Sequence, residues 1–320
     1  MNRSKIKTKN NFYEVIIIGG GPAGLNAAMI LGRCRRKVLL FDSGKYRNQF
    51  ASGIHGFLTR DNIPPGKFLK LCRQELVKYN VEIIGEEIDN GFCKDDYFEV
   101  VDRHGAIYRS QKLLLATGLR DNVPEIEGFA DCYGKSIFHC PYCDGWEVRD
   151  KSIGIYSRTK AGYELALTLY HWSKDIMLFT DNTNYMTEKQ MQVLKTHHIT
   201  VYTEILEQVI HKEGQLKYME LKGGKKVKCN AVFFSNGFDQ RSILGEKLGC
   251  KYTPKGVIEN DRLQHTNVPG LFVAGDAAQD MQFVVVAAAE GAKAAVAINK
   301  ELIDQRIKHL EKEEILMPPG

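Results

Sequence analysis

Apolar residues along this chain gather in short unbroken runs, and several of the runs end at glycine. The first, residues 15–18 of "YEVIIIGGGPAGLNAAMILGR", predicts a strand buried on both faces, as in a parallel sheet. Glycines and then helix formers follow it, so the pattern predicts strand, turn and helix. "KVLLFDSG" returns as a second apolar strand ending on Asp42. Further apolar runs precede Ala116-Thr117-Gly118 in "KLLLATG" and Gly275-Asp276 in "NVPGLFVAGDAA". "KSIGIYSRTKAGYELALTLYHWSKDIMLFTDN" repeats the order of strand, turn, helix and strand. The most apolar late stretch, residues 283–298, contains Glu290 and Lys293 and is too short and too charged to span a bilayer.

The first turn carries chemistry. Gly19, Gly21 and Gly24, with Pro22 and Ala23 between the last two, fit G-x-G-x-x-G. That pattern gives a tight turn, close approach to a pyrophosphate and close helix–strand contact. Backbone N–H groups at the helix start attract phosphate. Asp42 stands 18 residues past Gly24, where a carboxylate accepts hydrogen bonds from ribose hydroxyls. Strand, glycines, helix, strand and acid in this order predict a dinucleotide site.

Length and charge bound the rest. At 320 residues the chain has room for two domains. Its net charge of +5 includes Arg3, Lys5, Lys7 and Lys9 in a polar tail, read as a disordered extension over residues 1–12. The remainder is almost neutral, so charge makes no case for a nucleic-acid partner. No membrane partner is expected either. Eight cysteines without a secretion signal point to a reducing, cytoplasmic setting.

Only Cys140 and Cys143, in "HCPYCDGWE", are spaced for joint chemistry. Such a pair can close a disulfide, hold half of a zinc site or sit unused in a core. No second Cys-x-x-Cys exists, and His197 and His198 are adjacent rather than spaced as ligands, so no metal is expected. A redox pair is the better reading. Asp144 directly follows and is suited to carry the exchange proton if burial raises its pKa, or it simply caps a helix. His139 either influences Cys140 electrostatically or is an ordinary surface histidine. Tyr142 and Trp146 read as packing residues.

GGGPAG, ATG, C-x-x-C-D-G and AGD, in this order and at this spacing, resemble the low-molecular-weight thioredoxin reductase family of flavoprotein disulfide oxidoreductases. The resemblance runs from Tyr13 to about Leu302. It implies an α/β fold of two doubly wound, Rossmann-like domains, the second inserted in the first. FAD would bind residues 1–118 and 241–320, while residues 119–240 would form a pyridine-nucleotide-like domain carrying the cysteine pair. It further implies that Ala116, Thr117, Gly118, Gly275 and Asp276 contact FAD. A last helix over residues 282–302 would aim its N-terminus, with Gln282, Phe283 and Val284, at the flavin. Cys143 would face the flavin and Cys140 an external partner, either a thioredoxin-like protein or a small thiol or disulfide, within a homodimer.

Three stretches depart from the family pattern. The second nucleotide turn reads Ser157-Arg158-Thr159-Lys160-Ala161-Gly162, where the family has glycines in the first three places. Asp181 follows the next strand where arginines would receive the 2′-phosphate of NADPH, so the residues argue against NADPH and leave NAD(P)H use open. Gln282-Phe283-Val284 replaces the usual Arg-Gln-Ala. Residues 44–68 resemble a branch that includes dithiol oxidases, which pass electrons through FAD to oxygen; Arg47, Asn48 and His55 there are candidate flavin or substrate contacts. Three functions fit: a disulfide reductase, a nicotinamide-independent dithiol oxidase, and a non-catalytic flavin-binding redox sensor.

Overall fold

The computed structural model describes residues 11–278 and 281–316, the last four by backbone alone. The expected tail is thus mostly outside the described residues, but its last residue, Phe12, already begins a strand. The chain divides into two units, with crossings at Tyr46/Arg47, Pro65/Gly66, Leu119/Arg120 and Asp239/Gln240. Residues 47–65, assigned from sequence to the first unit, group with the second. Side-chain contacts formed far along the chain hold them there, and local sequence carries no sign of these.

The first unit opens with β1 (Phe12–Ile18), α1 (Pro22–Arg33), β2 (Val38–Phe41), α2 (Pro65–Leu76) and β3 (Glu82–Ile84). It continues through β4 (Ile88–Cys93), β5 (Phe98–Asp102) and β6 (Ile107–Leu115). The sheet order is β3-β2-β1-β6-β5-β4. Pairing is parallel from β3 to β6 and antiparallel through β5 and β4. The apolar run of β1 is buried on both faces, with Val15, Ile16 and Ile17 all fully covered. Ile16, Leu39, Phe41, Leu113 and Leu115 build one side of that core.

The second unit takes up β7 (Leu119–Asp121) from its second residue, then α3 (Phe129–Cys132), β8 (Ile137–Phe138), α4 (Pro141–Asp144) and β9 (Ile153–Ser157). After these come α5 (Ala161–Leu169), β10 (Ile176–Phe179), α6 (Glu188–Thr196) and β11 (Thr200–Tyr202). An antiparallel meander of β12 (Leu206–Lys212), β13 (Gln215–Leu221) and β14 (Lys225–Lys228) precedes β15 (Ala231–Ser235) and β16 (Phe238–Gln240). Its main sheet, β11-β10-β9-β15-β8, is parallel throughout. Ile153 and Ile155 face one core with Leu169 and Leu178, while Tyr156 faces another with Phe129 and Phe179. A strand buried on both sides explains why the run is unbroken rather than alternating.

The first unit then resumes with α7 (Leu244–Lys247), β17 (Leu271–Val273) and α8 (Val284–Leu316). β17 pairs in parallel with Leu113–Leu115 of β6, beyond the residues that pair with β5. α8 begins two residues later and ends well after the expected 282–302. "KELIDQRIKHLEKEEIL" consists of helix formers without Gly or Pro until Pro318, so nothing stops the helix sooner. α8 lies close against α1: a Cβ on Gly291 would stand 2.0 Å from the Ala23 carbonyl oxygen. Asn26 Nδ2 also donates to the Ala288 carbonyl at 2.6 Å.

Candidate active site

The turn after β1 shows why each glycine is there. Gly19 has φ +116°, and a Cβ on it would collide with the Ala116 carbonyl oxygen at 2.1 Å. A Cβ on Gly24 would stand 1.9 Å from Gly19 O, so β1 and α1 approach as backbone against backbone. Gly20 was not singled out from sequence, yet a side chain there would overlap the Asp42 carboxylate at 2.2 Å. At Gly21 the surroundings are open, with nothing within 4 Å of a Cβ. Gly21 is the N-cap of α1, Pro22 follows at the helix start, and no side chain caps it. The space and the uncapped helix start suit a pyrophosphate.

Asp42, at the end of β2, is held by hydrogen bonds from Gly44 N at 3.0 Å, Tyr46 Oη at 2.6 Å and Arg73 at 2.7 Å. Two of these reach Oδ2 and one reaches Oδ1, leaving a lone pair on Oδ1 for a ribose hydroxyl. Gly118 takes φ +68°, and its carbonyl accepts from Arg241 N. Ala116 N bonds back to Ile18 O, so the ATG turn lies alongside the first glycine turn, with Thr117 N 3.2 Å from a Cβ built on Gly19. Gly275, at φ +79°, donates its N–H to Glu290 Oε2 at 2.8 Å. Glu290 is buried, and desolvation, with Asp276 adding to it, raises its pKa to about 6 against the Gly275 N–H and Lys293. In the sequence, Glu290 stood out only as a charge that excludes a membrane span. Gln282 and Phe283 precede α8, and Phe283 O accepts its first-turn bond from Ala287 N.

In the second unit, Cys140 is the N-cap of α4, with Cys143 in the helix and a disulfide joining them at a Cα–Cα distance of 5.3 Å. Cys143 N–H donates to Cys140 Sγ at 3.2 Å, which favours the thiolate once that bond opens. A Cβ on Gly145 would stand 2.5 Å from Pro141 O and 3.0 Å from the Trp172 ring, so the glycine of C-x-x-C-D-G lets the short helix lie on Trp172. Burial lifts Asp144 to a pKa of about 7, with Glu147 adding to it. Tyr142 and Trp146 do not pack inside. They are 67% and 64% exposed, edge-on to Trp172 and beneath Arg149 respectively.

A glycine turn shaped for a dinucleotide and a disulfide at a helix start are the two marks of one enzyme class. The family model of the pyridine nucleotide-disulphide oxidoreductases matches residues 13–291. The chain belongs to this family. A probable thioredoxin reductase of Arthroderma benhamiae is 32% identical, covering 92% of this chain and 81% of that one. A putative thioredoxin reductase of Bacillus anthracis superposes with a TM-score of 0.88 at 33% identity, over 92% and 99% of the two chains. The crystal structure of HlmI does so at 0.91 and 33%, over 96% and 97%. This oxidoreductase is therefore thioredoxin-reductase-like, and its family implies FAD as cofactor. The open Gly21, the Gly19 turn and the remaining lone pair on Asp42 fit that group.

The candidate contacts Arg47, Asn48 and His55 belong to the 47–65 segment that groups with the second unit. Arg47 and Asp121 form a buried ion pair within the second unit, with Arg47 Nε at 2.8 Å from Oδ2. Asp121 Oδ2 also accepts from Tyr133 Oη at 2.5 Å, and Tyr133 meets His139 Nδ1 at 3.3 Å. Although burial opposes it, the Arg47 hydrogen bond keeps Asp121 below its usual pKa. His55 lies 3.6 Å from Glu147 and 3.9 Å from Asp61. Asn48 closes a local turn through its carbonyl, which accepts from Ala51 N. Asp121, Tyr133 and Glu147 were missed from sequence. Phe50 also packs here, edge-on to Tyr133 and against Gly134, where a Cβ would meet Phe50 backbone at 2.7 Å.

The turn after β9 is filled by its own side chains. Ser157 Oγ accepts the Thr159 N–H at 3.3 Å. Tyr185 Oη donates to Ser157 O at 3.3 Å and stands 2.4 Å from where a Gly162 Cβ would be. Asp181 accepts from Tyr156 Oη and from Leu206 N, each at 2.9 Å, with Arg158 Nε at 3.7 Å.

Proposed function

We propose that this chain moves two electrons between FAD, the Cys140–Cys143 pair and an external dithiol or disulfide, either a thioredoxin-like protein or a small molecule. The observation that carries the reading is the pairing of the disulfide with Asp144, whose pKa of about 7 lets it hold or release a proton near neutrality. FAD, when bound, supplies two-electron acceptance or donation. Cys140, whose Sγ receives the Cys143 N–H, is the sulfur for the external partner, and Cys143 is the inner one. Asp144, next to Cys143 in the chain, can hold or release a proton near neutrality as the pair changes oxidation state. The resemblance extends the reading to a cytoplasmic homodimer, which sedimentation and localisation would test.

A second reading, the nicotinamide-independent dithiol oxidase with oxygen as acceptor, is favoured by one observation: the turn at residues 157–162 spends the Thr159 N–H on Ser157. Anaerobic stopped-flow with NADPH, NADH and a dithiol in turn separates the two. Rapid reduction by NADH or NADPH establishes the reductase. Reduction by dithiol alone, with oxygen consumed on admission of air, establishes the oxidase. Cys140→Ser and Cys143→Ser should both abolish turnover and keep the flavin. Turnover surviving in either variant would remove the pair from the reaction.

A further inference from the structure

His139 immediately precedes the disulfide, and its ring is oriented from behind by a relay. Arg47 and Tyr133 both donate to Asp121, so the Tyr133 proton is committed. Tyr133 Oη then has only lone pairs to offer His139 Nδ1 at 3.3 Å, and the imidazole proton must sit on Nδ1. His139 Nε2 is left with its lone pair and has no hydrogen-bond partner among the described residues.

We propose that His139 Nε2 takes the proton of an external thiol as its sulfur joins Cys140, with Tyr133 and Asp121 as positioning residues that fix the imidazole tautomer. The proposal rests on the thiol–disulfide reading of this site. In the step, the thiol sulfur bonds to Cys140 Sγ and its proton moves to Nε2. The Cys140–Cys143 bond breaks, and its electron pair leaves with Cys143 Sγ as a thiolate. The second thiol of the dithiol then attacks the first sulfur, closing the substrate disulfide. Cys140 Sγ departs with the electron pair, and the second thiol's proton offsets its charge. The dithiol is oxidised and the cysteine pair reduced by two electrons.

The electrostatics agree with this division of labour. Burial lowers the His139 pKa to about 4, Asp121 opposing and Arg47 reinforcing, so the ring is a neutral acceptor. Directly after Cys143, burial and Glu147 lift Asp144 to about 7. The usual order of imidazole and carboxylate is reversed, as at sites that hold an acid and a base together. The charged and titratable groups facing His139 are Asp121 on β7, Tyr133 after α3 and Arg47 on the 47–65 segment. Those bearing on Asp144 are Glu147, itself 3.6 Å from His55, and Tyr133.

The test mixes the full-length flavoprotein anaerobically with dithiothreitol and quenches by alkylation. The opened Cys140–Cys143 pair is then counted by mass spectrometry across pH. His139→Asn keeps a donor toward Tyr133 but lacks the Nε2 lone pair. It should open about a hundredfold more slowly near pH 6. The deficit should shrink toward a few-fold near pH 9, where dithiothreitol supplies its own thiolate. Tyr133→Phe should show a smaller loss with the same pH shape, and it decides the matter if His139→Asn does not fold. A loss equal at every pH, or no loss, overturns the assignment. A wild-type protein that no dithiol opens would instead overturn the reading of the site itself.

Discussion

Two strand–turn–helix–strand units in this molecule are built to one plan and finished in opposite ways. In the first, glycines clear the turn: nothing lies within 4 Å of a Cβ at Gly21, and α1 starts without a side-chain cap. In the second, Ser157 takes the Thr159 N–H, Tyr185 covers Gly162, and Asp181 is held by Tyr156 and Leu206. The strand–helix frame and the open phosphate turn are thus separate features of the chain. Parallel strands and a buried helix need apolar runs, whereas phosphate binding needs unused N–H groups and empty space, and the two requirements fall on different residues.

The strongest way to break the comparison is to fill the open turn. Gly24→Ala drives a methyl into Gly19 O at 1.9 Å, so β1 and α1 must part. A stability loss of about 3 kcal/mol is expected, with the flavin lost as well. Gly21→Ala should leave the melting temperature of the apoprotein unchanged and still lower flavin affinity by about tenfold or more, because its methyl meets only the space reserved for ligand. Equal thermal losses in the two variants would show that Gly21 is structural too.

Opening the closed turn is the converse. Ser157→Gly with Tyr185→Phe frees the Thr159 N–H and removes the hydroxyl over Gly162. One recovered hydrogen bond is worth about 1 kcal/mol, so anaerobic reduction by NADH should quicken by roughly fivefold. In the wild type, NADPH should be no better than NADH, since Asp181 offers its 2′-phosphate a like charge; a marked NADPH preference would contradict this account of the turn.

A smaller effect separates the two proton carriers by pH. Asp144 has a folded pKa near 7, above its ordinary 3.8, so the folded state holds an extra proton between those values. Its contribution is favourable at low pH and is lost as pH rises through about 4 to 7, so stability measured by denaturant should fall relative to Asp144→Asn across that window. His139 runs the other way. Its folded pKa near 4 lies below the ordinary 6.5, so stability should rise from pH 4 to 6.5 relative to His139→Asn. Parallel profiles for the two variants would refute the reversed order.

The least effect is expected at Glu290→Gln, which keeps an acceptor for Gly275 N–H and removes a carboxylate that burial already holds near pKa 6. Stability should change by less than about 1 kcal/mol near neutral pH. A larger drop would mean that its charge, opposite Lys293, matters more than its hydrogen bond.

What could be read from the sequence was what chain neighbours decide. The turn at Gly19, the strand-ending Asp42 and the Cys140–Cys143 spacing lie within single short segments. The relay behind His139 is different. Arg47 reaches Asp121 across 74 residues, and Glu290 reaches Gly275 from another element, so no local pattern announces either pair. Gly20 was hidden in a motif whose accepted reading assigns roles to its neighbours. The antiparallel β4–β5 and β12–β14 strands were not read, because "FCKDDYFEV" and "HKEGQLKYME" are too polar to stand out as buried runs.

Assembly in time follows from the contact between α1 and α8. Gly291 and Ala23 touch backbone to backbone across almost the whole length of the chain, and β17 joins β6 from residues 271–273. On a ribosome, the sheet of β1 and β2 emerges early but lacks its covering helix until α8 leaves the tunnel. The β8–β15 unit, nearly contiguous, is complete long before. Contacts that close such long loops form late and slowly. A nascent chain halted after residue 280 has the second unit outside the tunnel and α8 still unmade, and should therefore protect the cysteine-bearing unit from protease while the glycine turn is still open to it.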